Sequence, residues 1–186
     1  MKSQLVEAWC MSNEVNLYFL DSISDEYLQD SYAKRTRTVA AQFAHMHNVR
    51  LRWLNHSAPK LVDKLESFPK GAQPTRAKLK EALKTSEEVI AQYLEECEAA
   101  GDVKYWSGPP ATFLSYLVAH EAHHRGLAMV ATADLRTEAA TGSYLRSMAM
   151  GQEAESEVSL FKILKTDSTI SFSGNALIRA YRLTQI

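Results

Sequence analysis

The sequence predicts an all-α protein, an antiparallel four-helix bundle followed by an irregular C-terminal tail. Four stretches repeat apolar residues at helical spacing, Pro- and Gly-containing breaks separate them, and no alternating run reads as a strand or hairpin. Long helices joined by short connectors pack side by side, and facing helices of such a bundle commonly build a site in its interior.

The first helix is expected over 5–22, where Val6, Trp9, Val15, Tyr18, Phe19 and Leu20 follow helical spacing and Ser12-Asn13 interrupts it. Residues 23–36 are polar and read as a connector. The second helix spans 38–55, with an apolar face of Val39, Phe43, Met46, Val49, Trp53 and Leu54 that also takes in Gln42. His45 and His47 fall on opposite borders of that face and Arg50 near its centre, where a cation is either paired with a carboxylate or lies under a ligand site. Ser57-Ala-Pro breaks the pattern, a short helix is expected over 61–68, and Pro69 to Pro74 form a turn. Thr75 caps a third helix that buries Leu79, Leu83, Val89, Ile90, Tyr93 and Leu94 and ends at Gly101-Asp. After Ser107-Gly-Pro-Pro110 comes the fourth helix, 111–131.

Composition excludes several classes. A chain of 186 residues suits one domain, long enough to bury roughly 70% of its unfolded surface. Apolar residues at 46% and charged residues at 23% are those of an ordinary globular protein. With 21 basic against 22 acidic side chains, the basic stripe of a nucleic-acid binder is missing, so neither DNA nor RNA is the expected partner. No run approaches the roughly 18 apolar residues of a membrane helix, and the N-terminus lacks the apolar core of a signal peptide. Cys10 and Cys97 form no motif, which fits reduced thiols and a cytoplasmic location.

The densest chemistry lies in Leu117-Val-Ala-His-Glu-Ala-His-His-Arg-Gly126. His120 and His124 are four apart on one helical face, with side-chain origins about 5 to 6 Å apart. Two imidazoles on successive turns can converge on one ion at about 2.0 to 2.1 Å each. His123 lies at the edge of the apolar stripe of Phe113, Leu117 and Leu127, toward solvent or a neighbouring helix. The run also matches H-E-x-x-H, in which Glu121 would serve as the base of a zinc protease, so hydrolysis is the rival chemistry.

Phe43-Ala-His-Met-His-Asn-Val-Arg-Leu-Arg-Trp-Leu54, taken with His120-Glu-Ala-His-His-Arg-Gly126, resembles the DinB-like (DinB/YfiT) superfamily of bacterial metal-binding four-helix bundles, over residues 1–131. The resemblance implies a divalent ion, zinc or nickel by preference, held by His45, His120 and His124, with Trp53-Leu54 anchoring the first ligand and His47 as the alternative. It also implies a metal-dependent transferase acting on a small-molecule substrate with a low-molecular-weight thiol, and a homodimer. Three neutral ligands leave open positions, the pattern of catalytic sites. Arg50 or Arg125 would hold an anionic group of the thiol. The other readings are a metal-dependent hydrolase and a non-enzymatic helical dimerisation module.

The bundle is expected over 1–133 and an atypical extension over 134–186, where the chain departs from the S-G-x-x-L-P and Y-G-L-W-x-W-G endings of similar sequences. A change of reading frame accounts for the departure. Read one nucleotide forward, Met148-Ala149 and Met150-Gly151 each force a TGG codon, so W-x-W appears without any choice of synonymous codons. The coding DNA checks it: without a W-x-W frame and a nearby stop, the reading fails.

Overall fold

A computed structural model describes residues 3–62 and 65–132. The expected extension over 134–186 and its change of frame lie outside the described residues. Four helices carry the fold: α1 (Gln4–Ser22), α2 (Val39–Ser57), α3 (Arg76–Ala100) and α4 (Pro110–Thr132). Ser3, Thr38 and Thr75 each sit in extended backbone and accept a hydrogen bond from the amide of Val6, Ala41 and Lys78, respectively. These caps satisfy amides that have no partner within the helix, which is why the helices begin there.

Three local expectations change. α1 runs unbroken through Ser12 and Asn13, because both side chains are buried in the bundle and tertiary packing outweighs their weak helix preference. The connector before α2 contains a short 3-10 turn, Asp25–Gln29, that buries Leu28. The short helix expected over 61–68 is replaced by a 3-10 turn at Pro59–Leu61, and residues 65–68 are not helical. Asn48 holds that last stretch from both sides: its Nδ2 donates to the Phe68 carbonyl and its Oδ1 accepts from the Phe68 amide, both at 2.9 Å. Those bonds take backbone groups that a helix would use internally.

The helix directions follow from which residues meet. Trp9 Nε1 donates to the Glu87 carbonyl at one end of the α1/α3 pair, and Lys80 pairs with Asp21 at the other, so α1 and α3 are antiparallel. Gln42 meets His124 while Trp53 meets Phe113, so α2 and α4 are also antiparallel. The same apolar clusters show that α2 and α3 run parallel: Phe43 and Leu83 share one cluster, Leu54 and Leu94 the other. Residues 58–75 therefore carry the chain back along the bundle, a crossover rather than a hairpin. A 19-residue helix is about 28 Å long, well within the reach of that connection.

Between the clusters lies a polar layer. One cluster holds Leu17, Leu20, Phe43, Met46, Leu79 and Ala128; the other holds Val6, Trp9, Leu54, Ile90, Leu94 and Leu117. Numbering along each helix puts Asn13 and Asn16, Arg50, Ser86, and Glu121 and Arg125 between them, all buried. The candidate site sits at this level.

Candidate metal centre

His45 on α2 and His120 and His124 on α4 come together, with one ring nitrogen from each lying within 4.8 Å of the others. The His45 ring centroid is 5.5 Å from that of His120 and 4.6 Å from that of His124. Nε2 of His120 and Nε2 of His124 face each other at 3.1 Å. Two nitrogens bound to one tetrahedral ion at the usual length stand roughly 3.3 Å apart, so the spacing suits an ion.

The tautomer of His124 supports the same fit. Its Nδ1 lies 2.7 Å from Oε1 of Gln42, an acceptor, so Nδ1 carries the proton and donates it. That leaves the lone pair of Nε2 aimed at the centre of the triad, the arrangement by which an outer hydrogen bond orients a metal-binding imidazole. Gln42 stands three residues before His45 on the same face of α2. Helical spacing puts it on the inward face of α2, and a polar side chain among apolar ones is the only sequence signal of its role. Nδ1 of His120 is buried without a hydrogen-bond partner among the described residues.

All three rings are held neutral. Burial lowers His45 from the ordinary value near 6.5 to about 4, helped by the positive charge of Arg37, by His120 and by Arg52. Burial likewise brings His124 down to about 2, with His120, His45, His123 and Arg37 adding to it. His120 is lowered mainly by burial; Glu121 opposes this, and His123, Arg37 and Arg52 reinforce it. Neutral imidazole is the form that binds a metal, so protons offer little competition at neutral pH.

His47 does not join the triad. Its ring nitrogens lie 3.0 Å from the carbonyl oxygens of Ala82 and Glu66, so it ties α2 to α3 and to the crossover. Glu121, the acid of the H-E-x-x-H match, is also turned away. It forms a buried ion pair with Arg50: Nε to Oε1 at 2.7 Å and a second bond to Oε2 at 2.9 Å. Asn16 Nδ2 donates to the same Oε2 at 2.7 Å. Arg50 further donates to the Leu83 carbonyl, Ser86 Oγ and Asn13 Oδ1, and its guanidinium lies 4.6 Å over the Trp9 ring. Arg125 donates to Asn16 Oδ1. The expectation that Arg50 or Arg125 receives a cofactor's anionic group is corrected: both are buried in this interior network. Of the two roles foreseen for Arg50, pairing with a carboxylate is the one observed.

The family model described as the DinB family matches residues 1–153. The chain belongs to the DinB family. Comparison with curated proteins and with solved structures finds no match. In this DinB-family chain the fold brings His45 together with the H-x-x-x-H pair His120 and His124 in a group that could hold a metal ion. An aromatic wall adjoins them: Tyr116 lies 5.9 Å from His120 and packs on Trp53 and Trp106 at 5.7 and 5.2 Å. No helix among the described residues is long and apolar enough to cross a membrane.

Proposed function

We propose that this DinB-family protein is a divalent-metal-dependent transferase that passes a low-molecular-weight thiol to a small electrophile, with zinc or nickel held by His45, His120 and His124. The observation that supports it most is the convergence of three neutral imidazoles from two helices with no fourth His, Cys, Asp or Glu ligand grouped with them among the described residues. Such a ligand set leaves positions for an exogenous ligand. When bound, the ion supplies Lewis acidity that lets a thiol lose its proton near neutral pH. The chain's own residues orient and shield: Gln42 fixes the His124 ring, the Arg50–Glu121 pair joins α2 to α4, and Tyr116 and Trp53 provide an apolar wall beside His120.

Hydrolysis by the zinc-protease route needs Glu121 as a base at the metal. Here both of its oxygens are engaged by Arg50 and Asn16 on the interior side, which favours the transferase. The rest of the proposal is a cytoplasmic homodimer with reduced Cys10 and Cys97.

Elemental analysis of untagged protein tests the site. Wild type is expected to hold about one equivalent of zinc or nickel, lost in both His120→Ala and His124→Ala. Loss of an electrophile that depends on added thiol then separates transferase from hydrolase. A wild-type protein that takes up neither metal on incubation overturns the proposal.

A further inference from the structure

Beside the triad an aromatic group rises from the core toward the surface. Phe113 lies at its base, fully buried, and Trp53, Trp106 and Tyr116 are half-buried around it. Trp53 and Trp106 each meet the Phe113 ring edge-on, at 5.4 and 5.6 Å between centroids, and meet each other at 5.6 Å. Tyr116 packs on both indoles and also lies 5.9 Å from His120, the two rings only 31° from parallel. Tyr116, His120 and His124 follow one another at intervals of four, so the phenol shares the face of α4 that carries the two histidines.

Trp106 belongs to no helix, and the connector between α3 and α4 is shaped around it. Tyr105 and Gly108 both have positive φ, 65° and 148°, and for a tyrosine such backbone persists only where its surroundings impose it. Tyr105 stacks on His56 of α2 at 4.2 Å, which ties the connector to that helix. The indole Nε1 donates to Thr112 Oγ1 at 3.0 Å, and Thr112 in turn donates to the Pro109 carbonyl at 2.8 Å. A Cβ on Gly108 would fall 2.6 Å from Thr112 Oγ1, so glycine there keeps this anchor open. With its one polar atom engaged inside the connector, the half-exposed indole offers an outside ligand an apolar face alone. A flat apolar group gains most from such a face. A cation would also be drawn to it, but Lys104 already lies 5.0 Å over the neighbouring Tyr105 ring, which makes a neutral ring the better guest.

We propose that Trp106 and Tyr116, backed by Trp53 and Phe113, form an aromatic seat beside the histidine triad that selects electrophiles carrying an aromatic ring. This rests on the metal-dependent reading above and names the substrate class of that site. Tyr116 is the inner edge of the seat, next to His120, and Trp106 the outer one. The positive φ values and the Thr112 anchor serve to hold the indole where an incoming ring meets it.

The test uses full-length protein loaded with cobalt(II), whose visible absorption reports a ligand entering at the ion. Benzohydroxamate and acetohydroxamate chelate through the same group, so the ratio of their affinities, taken relative to free cobalt(II), reads the contribution of the ring. Wild type is expected to favour the phenyl ligand by about fivefold beyond the free ion, the effect of one well-placed aromatic contact. Trp106→Leu and Tyr116→Leu, which keep apolar bulk and remove a flat ring, should each bring the ratio within about twofold of the free ion. Circular dichroism and cobalt content establish that each variant is folded and loaded; if Tyr116→Leu loses the ion, Trp106→Leu, in the connector, decides alone. No phenyl preference in wild type, or one that Trp106→Leu leaves unchanged, overturns the seat while the metal reading stands. If wild type takes up no cobalt(II), the metal reading fails and the seat falls with it.

Discussion

Glu121 follows a triad histidine by one position, and the 100° step of the helix turns it from the site to the interior. There it is 1% exposed, against an Arg50 that is 0% exposed. Two charges so deeply buried are tolerated only because each is also hydrogen-bonded by neutral partners, Asn16 on one side and Asn13, Ser86 and the Leu83 carbonyl on the other. Glu121→Gln removes the carboxylate and leaves two buried guanidiniums, Arg50 and Arg125, without a counter-charge in the network. The expected loss is about 3 kcal/mol of stability by urea denaturation, while the native variant still binds zinc or nickel. A loss below about 1 kcal/mol would mean that the pair is not closed as described; loss of metal from a folded variant would return Glu121 to the site.

At the level of the helices, the direction of α3 relative to α2 decides what the polar layer contains. Because the two run parallel, Leu83 and Ser86 arrive opposite Arg50 and supply its acceptors; a direct hairpin would bring the other end of α3 there. Where α3 stops is a matter of backbone conformation. Gly101 has φ 70° and its amide meets the carbonyls of Cys97 and Glu98, which closes the last turn. Nothing lies within 4 Å of a Cβ built there, so Gly101→Ala meets no clash and its cost is conformational alone. We expect it to destabilise by about 1 kcal/mol. Gly126, inside α4, has equal space and ordinary helical backbone, so Gly126→Ala should stabilise by about 0.5 to 1 kcal/mol. Thermal denaturation of the pair separates the effects: a shift of the same sign in both would refute the assignment of the cap.

For the whole molecule, the buried histidines make stability depend on pH. His45 is lowered to about 4 and His124 to about 2, and His120 is lowered as well, burial being the first cause each time. In the unfolded chain these groups take up protons near the ordinary value of 6.5, whereas the folded protein does not. The unfolded state therefore binds more protons below that pH, and stability falls with pH through the window from about 6.5 down to about 4, with no contribution from these groups above it. Chelator-treated protein should unfold at a clearly lower temperature at pH 5 than at pH 7.5. Bound metal, which the folded state alone retains, should raise the midpoint at pH 7.5 and make the fall toward pH 5 steeper. Equal midpoints at the two pH values would show that the rings are not buried neutral.

By itself the sequence determined the helical class, the helix ends at Thr38, Thr75 and Gly101, and the His120–His124 pair, because each depends on spacing or capping within a few residues. The choice of His45 came from a family pattern, since His45 and His47 border the same apolar face and periodicity treats them alike. Only tertiary structure separated them: α4 lies against the His45 side of α2, while α3 and the crossover present carbonyl oxygens to His47. Tertiary structure also decided that Glu121 turns away from the histidine triad and that Arg50 and Arg125 are interior residues, because their partners lie 33 to 109 residues away. Direction and register of packed helices set those meetings, and both depend on the filling of the core between helices, which no local pattern records.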